Sequence, residues 1–325
     1  MQEHPRVLGG QSIIGEVLAA ASDGDYPRVL EFAPLVLDQA DQHPDVKDLW
    51  LVLDAWGTAA HAVDDYALMK RVAELMIDIA RQAQSTEYEI LALLERSTAE
   101  RCAFEHQASL NTAQLALRLA RELPQDSPDW VRIYQVIMAA LVEIGDLDQA
   151  WSFHTDLASS LRLVAASQEQ AKGYWTLGNL AFMVGKPAQG VQYHQQAASL
   201  MTPANDMLMW ARFNRASAEF RLQADITDEA TLDCLKRAKL AFMLIEPGDL
   251  DAVGLALTES RMLSAQRQDD QALERLERFT AQYSGEPVHL VPLLQWWAEL
   301  LESRQDWSGA EDKRAQATRI STKGH

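Results

Sequence analysis

The chain has 325 residues, and 48% of them are hydrophobic, which excludes a disordered protein. Its 47 acidic and 29 basic side chains give a formal charge of −18. This balance argues against nucleic acid as a direct ligand, because phosphate binding requires a basic face. With only 15 glycines and 11 prolines, and without alternating β-branched segments, the composition favours helices.

The N-terminal segment MQEHPRVLGGQ has no charged region followed by an apolar stretch, so it does not resemble a signal peptide. We interpret residues 1–11 as an extension before the first helix. No stretch approaches the roughly 18 uninterrupted apolar residues of a membrane span. Two cysteines, Cys102 and Cys234, are too few for a disulfide framework. The sequence therefore predicts a cytoplasmic protein that does not bind membranes.

An acidic segment lies near the start of the chain. Between Asp23 and Asp65 there are ten acidic residues and two basic ones, Arg28 and Lys47. One interpretation is a solvated acidic end of the protein. The other is a docking face for a basic partner.

Small or branched residues recur after successive predicted turns and mark an internal repeat. They are Val29, Ala67, Ala113, Ala150, Gly190, Ala230, Ala272 and Ala310, at intervals of 37 to 46 residues. Each one follows a turn between two amphipathic stretches. The repeat predicts about eight antiparallel helix pairs in a single domain at 12–319, followed by a frayed tail at 320–325.

The clearest repeat unit runs from Tyr174 to Pro203. Apolar residues three or four apart form a stripe on its first helix. Gly185-Lys186-Pro187 then ends that helix and starts the next. Gly178 and Gly190 are small because the two helices approach each other there.

This unit resembles the tetratricopeptide (TPR) pattern, with an aromatic, Leu-Gly, a small residue after the turn, an aromatic, an alanine and a closing proline. The resemblance implies an all-α, right-handed superhelix (solenoid). The intervals exceed the TPR period of about 34 residues. Repeats of this length resemble those in the receptor domains of bacterial peptide-pheromone regulators of the Rap, Rgg and PlcR kind, and in the sensor domain of MalT-like activators.

Those regulators usually carry a separate DNA-binding or effector domain. Here the repeat is expected to occupy the sequence from residue 12 to residue 319. The resemblance therefore leaves two alternatives open. The protein acts through protein contacts alone, or the sequence is the receptor part of a larger regulator.

A Trp/Asn pattern is the main candidate for a ligand site. Trp175-x-x-x-Asn179 recurs 35 residues later as Trp210-x-x-x-Asn214. The spacing of four places each pair on one stripe of a helix. Asparagine offers a donor and an acceptor to an extended peptide, and tryptophan offers an apolar wall. In the alternative interpretation, the tryptophans pack between neighbouring repeats and the asparagines bond locally.

Arginines accompany this pattern. Arg212, Arg215 and Arg221 lie beside the second Trp/Asn pair, and Arg261 falls at an equivalent place in a later helix. A guanidinium group can hold a peptide carboxylate with two parallel hydrogen bonds. We predict Arg221 and Arg261 as ligand-binding residues, together with the four Trp and Asn residues. The alternative is that the arginines are solvated or paired with neighbours such as Glu219.

Motifs for catalysis are missing from the sequence, which has no GxxxxGK[ST], GxGxxG, HExxH, GxSxG or paired CxxC. We predict no catalytic residue, metal site or cofactor. The favoured function is a cytoplasmic binding protein that takes an extended peptide or protein segment in regulation or signalling. The alternatives are the ligand-sensing domain of a transcription regulator and a scaffold. A homodimer through the Trp296-Trp297 end is a further alternative.

Overall fold

The computed structural model describes residues 10–38, 45–165 and 168–323. Every regular element in these ranges is helical. The first nine α-helices are α1 (Gly10–Ser22), α2 (Tyr26–Asp38), α3 (Val46–Ala62), α4 (Tyr66–Gln82), α5 (Thr86–Cys102), α6 (His106–Leu119), α7 (Asp129–Glu143), α8 (Leu147–Ser152) and α9 (His154–Leu161). The remaining eight are α10 (Gln168–Met183), α11 (Pro187–Leu200), α12 (Met207–Gln223), α13 (Glu229–Leu244), α14 (Asp249–Ala265), α15 (Asp269–Gln282), α16 (Val291–Ser303) and α17 (Trp307–Lys323).

The chain divides into two compact units, residues 1–164 and residues 165–325. The first unit contains the pairs α1/α2, α3/α4 and α5/α6, and α7 paired with the interrupted helix α8–α9. The second contains α10/α11, α12/α13, α14/α15 and α16/α17. The predicted all-α class and the number of helix pairs are therefore confirmed for the described residues. Below, the first helix of each pair is called the A helix and the second the B helix.

The predicted ends of the repeat can be compared with the described helices. Helix α1 begins at Gly10, and residues 1–9 of the predicted extension lie outside the described residues. Helix α17 continues to Lys323, so the predicted tail is helical over residues 320–323, and residues 324 and 325 lie outside the description. A single domain spanning 12–319 stays a prediction. Among the described helices, none is long and apolar enough to cross a membrane.

A residue with positive φ separates the A and B helices of each pair. Three of these residues are glycines, as at Gly185 (φ 72°), but Asp225 (φ 57°) and Phe104 (φ 60°) adopt the same conformation. A left-handed residue ends a helix and allows the chain to reverse. Glycine is not essential at this position in the present repeat, which is why the sequence signal for several turns was weak.

The first buried residue of each B helix defines the repeat register. These residues are Val29, Met69, Ser109, Ala150, Gly190, Thr231, Ala272 and Ala310, at intervals of 38 to 41. Three assignments from the sequence were wrong. Ala67 and Ala230 are exposed, and Ala113 lies one helical turn beyond the register position. Small side chains were expected there, whereas Met69 and Thr231 fill the same position in the second and sixth pairs.

Candidate functional site

Four A helices of the second unit share one register. The left-handed residues Gly185, Asp225, Arg267 and Gln305 each follow one of these helices. Counting six residues back from each gives Asn179, Glu219, Arg261 and Glu299, which we call the A-helix row. The residue four positions before Asn179 is Trp175, and its equivalent before Glu219 is Arg215. Consecutive A helices contact one another, so the row continues from helix to helix.

The register changes the interpretation of the Trp/Asn pattern. Gly185 and Asp225 are 40 residues apart, whereas the two Trp/Asn pairs are 35 residues apart. A shift of five residues turns a side chain by about 140° around an α-helix. Trp210 and Asn214 therefore do not share the face occupied by Trp175 and Asn179. The predicted ladder has the wrong register, because a local motif does not reveal the helical phase between repeats.

Both tryptophans pack within the second unit. The rings of Trp175 and Phe213 meet edge to face, with their centroids 5.8 Å apart. Trp210 packs against two apolar clusters, one containing Met201 and the other containing Phe242. The Nε1 atom of Trp175 is buried and has no hydrogen-bond partner within the described structure. These contacts match the alternative in which the tryptophans pack between neighbouring repeats.

The two predicted asparagines have different surroundings. Asn214 is 2% exposed, and its Nδ2 donates to the carbonyl of Trp210 at 2.8 Å. Asn179 is half-buried, and its Oδ1 lies 3.0 Å from Nε2 of His194. The side-chain amide of Asn214 therefore bonds within its own helix. No hydrogen-bond partner for Nδ2 of Asn179 occurs among the described residues, so this amide keeps its donors for other groups.

His194 orients Asn179 from inside the helix pair. It is 1% exposed, contacts the rings of Phe182 and Phe213, and places Nδ1 3.1 Å from Oγ of Ser217. Burial, reinforced by the positive charge of Arg221, lowers the pKa of His194 to about 3. The neutral ring therefore donates from Nε2 to Asn179 and accepts at Nδ1 from the Ser217 hydroxyl. This role was not predicted from the sequence, although His194 stands at the aromatic position of the TPR pattern.

The two predicted arginines also have different surroundings. Arg221 is 4% exposed, and its Nη1 lies 3.5 Å from Oδ1 of Asp228, at the start of the paired B helix. Arg221 is therefore buried inside the α12/α13 pair and away from the A-helix row. Arg261 belongs to the row. It forms an ion pair with Glu219, and its Cζ lies 5.1 Å above the ring of Trp296.

Arg215 is a site residue that lies beside the Trp/Asn pattern in the sequence but was not among the predicted ligand-binding residues. Its neighbour Arg212 holds both carboxylate oxygens of Asp251 at 2.8 to 3.0 Å. Within the described structure, Arg215 forms no hydrogen bond or ion pair, and its Nε is buried. Burial lowers the pKa of Arg215, and the nearby Asp251 opposes this effect. A half-buried guanidinium with unused donors is suited to an incoming carboxylate.

Gly254 explains how Arg215 reaches this position. A Cβ atom on Gly254 would lie 3.1 Å from both Cζ and Nε of Arg215, so the guanidinium lies against the backbone of α14. Glycine within a helix lowers stability, and its presence there often marks a close approach. Gly254 was therefore the available signal for the Arg215 site.

The tryptophans near the chain end are partly covered. Trp296 donates from Nε1 to Oγ of Ser260 at 3.0 Å, and the ammonium group of Lys313 lies 4.3 Å from the ring of Trp297. Trp307 is 65% exposed. Trp296 and Trp297 thus contact different helices of their own unit.

No cluster of three or more potential metal ligands occurs in the described part of the chain. The sequence matches no protein-family model. A comparison with curated protein sequences also finds no match.

Solved structures do share the fold. A Rap protein complexed with competence and sporulation factor aligns with a TM-score of 0.67 and 14% identity, over 99% of this chain and 88% of that chain. The apo form of the quorum sensor NprR from B. thuringiensis aligns with a TM-score of 0.51 and 10% identity, over 96% and 98%.

The APC/C hetero-tetramer Cut9-Hcn1 aligns with a TM-score of 0.61 and 12% identity. The alignment covers 95% of this chain and 51% of that chain, so this chain spans about half the length of its match. At such low identities the similarity concerns the fold alone. The chain therefore has a TPR-like α-solenoid fold built from helix pairs.

Proposed function

We propose that this chain is a binding protein for an extended peptide or protein segment. The A-helix row and Arg215, one helical turn before Glu219, bind the backbone of that segment and one of its carboxylates. The observation that carries the proposal is Arg215, a half-buried guanidinium that lies on Gly254, close to Asp251, and forms no hydrogen bond or ion pair among the described residues. A buried cation with unused donors is costly unless another group completes it. A carboxylate on the bound segment would satisfy it with two parallel hydrogen bonds.

Neighbouring groups supply contacts for the rest of the segment. The amide of Asn179 offers donors to a peptide carbonyl, and Oε2 of Glu219 is a buried acceptor without a described partner. They occupy the same register position on consecutive A helices, and Arg215 lies one helical turn before Glu219. Peptide backbones require both donors and acceptors. Affinity would come from the surplus of these contacts over the cost of ordering the segment.

The proposal keeps part of the predicted residue set. Asn179 and Arg261 remain as row residues, and Trp175 remains as the wall beside them. Trp210 and Asn214 are left out because they are five residues out of register with Trp175 and Asn179. Arg221 is left out because it is buried inside the α12/α13 pair. Arg215 and Glu219 replace them.

We propose further that the protein acts in regulation or signalling in the cytoplasm, as a binding rather than a catalytic protein. The similarity to a Rap protein complexed with a factor and to a quorum sensor supports this role. A ligand-sensing part of a transcription regulator would use the same site. The similarity to Cut9-Hcn1, a hetero-tetramer, supports a scaffold as the second candidate.

A peptide selection tests the proposed site. Random linear peptides displayed on phage are selected on the wild-type protein, and the affinity of the best peptide is measured by isothermal titration calorimetry. Arg215→Met should weaken binding by about 10- to 100-fold, the value of a charge-assisted hydrogen bond of about 1.5–3 kcal/mol. Arg215→Lys should recover only part of the lost affinity, because lysine cannot form the bidentate contact with a carboxylate.

Arg237→Met is the matched control, because Arg237 is an exposed arginine on the B helix α13. It should leave the affinity unchanged, and thermal melting checks that each variant is folded. The proposal fails if no peptide is enriched on the wild-type protein. It also fails if Arg215→Met and Arg237→Met bind the selected peptide equally well.

A further inference from the structure

A second groove lies between the B helices of the second unit, away from the A-helix row. Helix α14 forms its floor, and helices α13 and α15 form its walls. Its volume is about 590 Å³, within the range that holds ordered ligands and peptide side chains. The proposed peptide site does not use this groove.

The groove is mainly apolar. Seven large apolar side chains line it: Leu232, Leu235, Phe242, Met243, Leu255, Met262 and Leu263. Met243 is 75% exposed, and next to it on α13 are Leu240 and Leu244, which are 60% and 69% exposed. Leu250, at the start of α14, is 66% exposed. Groups of large exposed apolar side chains often mark binding sites.

The charge around the groove is opposite to that of the whole chain. Four lining residues are basic, Lys236, Lys239, Arg275 and Arg278, and Glu259 alone is acidic. Glu259 bridges Lys239 and Arg275 at 2.7 Å each. At the rim, Lys236 lies 3.5 Å from Asp233, and Arg278 pairs with Glu274. Counting Asp233 and Glu274, the groove and its rim carry four cations and three carboxylates. In a chain with a formal charge of −18, this local excess of positive charge favours an acidic ligand.

We propose that this groove is a second binding site, which takes an amphipathic α-helical segment of a partner protein with acidic residues beside its apolar stripe. A helix presents apolar side chains at i, i+3, i+4 and i+7, the arrangement that enters a groove between two helices. The leucines and methionines of α13 and α14 contact that stripe. The lysines and arginines on both walls contact the flanking carboxylates.

A designed peptide tests this proposal. The probe is a fluorescein-labelled helix with leucine at i, i+3, i+4 and i+7 and glutamate at most other positions, and binding is followed by fluorescence anisotropy. A peptide with lysine in place of glutamate tests charge, and a scrambled peptide of the same composition tests the stripe. The wild-type protein should bind the acidic helix and neither control.

Two substitutions locate the probe. Met243→Asp should weaken binding at least about tenfold by placing a charge in the apolar groove. Leu163→Ser is the matched control, because Leu163 is 62% exposed and belongs to the other unit. It should have no effect on the affinity. Met243 is largely exposed, so Met243→Asp should melt at the same temperature as the wild-type protein.

Any one of three results would overturn the proposal. The acidic helix does not bind, the lysine helix binds with the same affinity, or Met243→Asp leaves the affinity for the acidic helix unchanged. Sedimentation velocity tests whether a second copy of the chain fills the groove, because Met243→Asp would then abolish a dimer. Native mass spectrometry tests whether a small molecule fills it, because the molecule would then co-purify with the wild-type protein and be lost in the same variant. Arg215→Met should not change binding of the acidic helix, so this proposal and the peptide proposal fail independently.

Discussion

Replacing Gly178 by alanine tests the packing that holds the A and B helices together. A Cβ atom on Gly178 would lie 2.0 Å from Cδ2 of His194 and 2.6 Å from Nε2. The ring cannot retreat freely, because Asn179 and Ser217 hold its two nitrogens and aromatic rings surround it. The variant must therefore displace His194 or separate the helices.

The magnitude follows from three contributions. Overpacking a filled core costs about 1–3 kcal/mol, and losing two hydrogen bonds costs about 1 kcal/mol each. Alanine recovers about 1 kcal/mol of helix propensity. Gly178→Ala should therefore lower the free energy of unfolding by about 2–4 kcal/mol, measured by urea unfolding followed by circular dichroism and tryptophan fluorescence.

Two comparisons make the measurement decisive. A Cβ atom on Gly15 would meet no neighbouring atom within 4 Å, so Gly15→Ala should be neutral or stabilise by up to about 1 kcal/mol. In a His194→Ala background, Gly178→Ala should cost much less than in the wild-type protein, because the clashing ring is gone. Equal stability of Gly178→Ala and the wild-type protein, or an equal cost in both backgrounds, would show that the His194 ring does not restrict this position.

Three more predictions concern single residues. Since the pKa of His194 is about 3 in the folded protein and 6.5 in the unfolded chain, the unfolded state binds the proton first, and stability should fall as pH drops below 6.5. The free energy of unfolding should be about 2 kcal/mol lower at pH 5, as measured by urea titrations. The same loss in His194→Gln would show that His194 is not the group responsible. Phe104 has φ 60° and an 80% exposed side chain, so Phe104→Gly should stabilise by about 1 kcal/mol, and a lower melting temperature would oppose this. Asn214→Ala should lower stability by about 1 kcal/mol in urea unfolding while leaving the affinity for a selected peptide unchanged, whereas a pure loss of affinity would return Asn214 to the binding site.

The repeat was predictable because its signals are local. Gly185 ends a helix, Pro187 begins the next, and Gly178 and Gly190 mark the close approach, so one unit could be recognised from spacing alone. The period then indicated the number of helix pairs. Turns such as that at Phe104 carried no glycine, and the three wrong register assignments all follow turns of this kind.

The candidate site was predicted less well because it depends on the phase between repeats. The Trp/Asn coincidence at 35 residues looked like a ladder, but the turns at Gly185 and Asp225 set a register of 40. That register replaces Asn214 with Glu219. The contact between Arg215 and Gly254 joins two repeats, and neither helix contains it alone.

The opening between α13 and α15 likewise could not be predicted from the sequence. Met243 and Leu240 belong to an ordinary amphipathic helix when read as sequence. Only the arrangement of α13, α14 and α15 places Met243 in the lining of an open groove and leaves Leu240 exposed on the same helix. Whether such side chains are exposed depends on how neighbouring helices pack against α13, and local periodicity in the sequence does not predict that packing.

A double-mutant cycle tests the pairing of a ligand carboxylate with Arg215. The affinity of a selected peptide and of its analogue with that carboxylate converted to an amide is measured by isothermal titration calorimetry on the wild-type protein and on Arg215→Met. We expect a coupling energy of at least about 1.5 kcal/mol, so that removing the carboxylate weakens binding only when Arg215 is present. A coupling energy near zero, with the same loss of affinity on both proteins, would contradict this pairing.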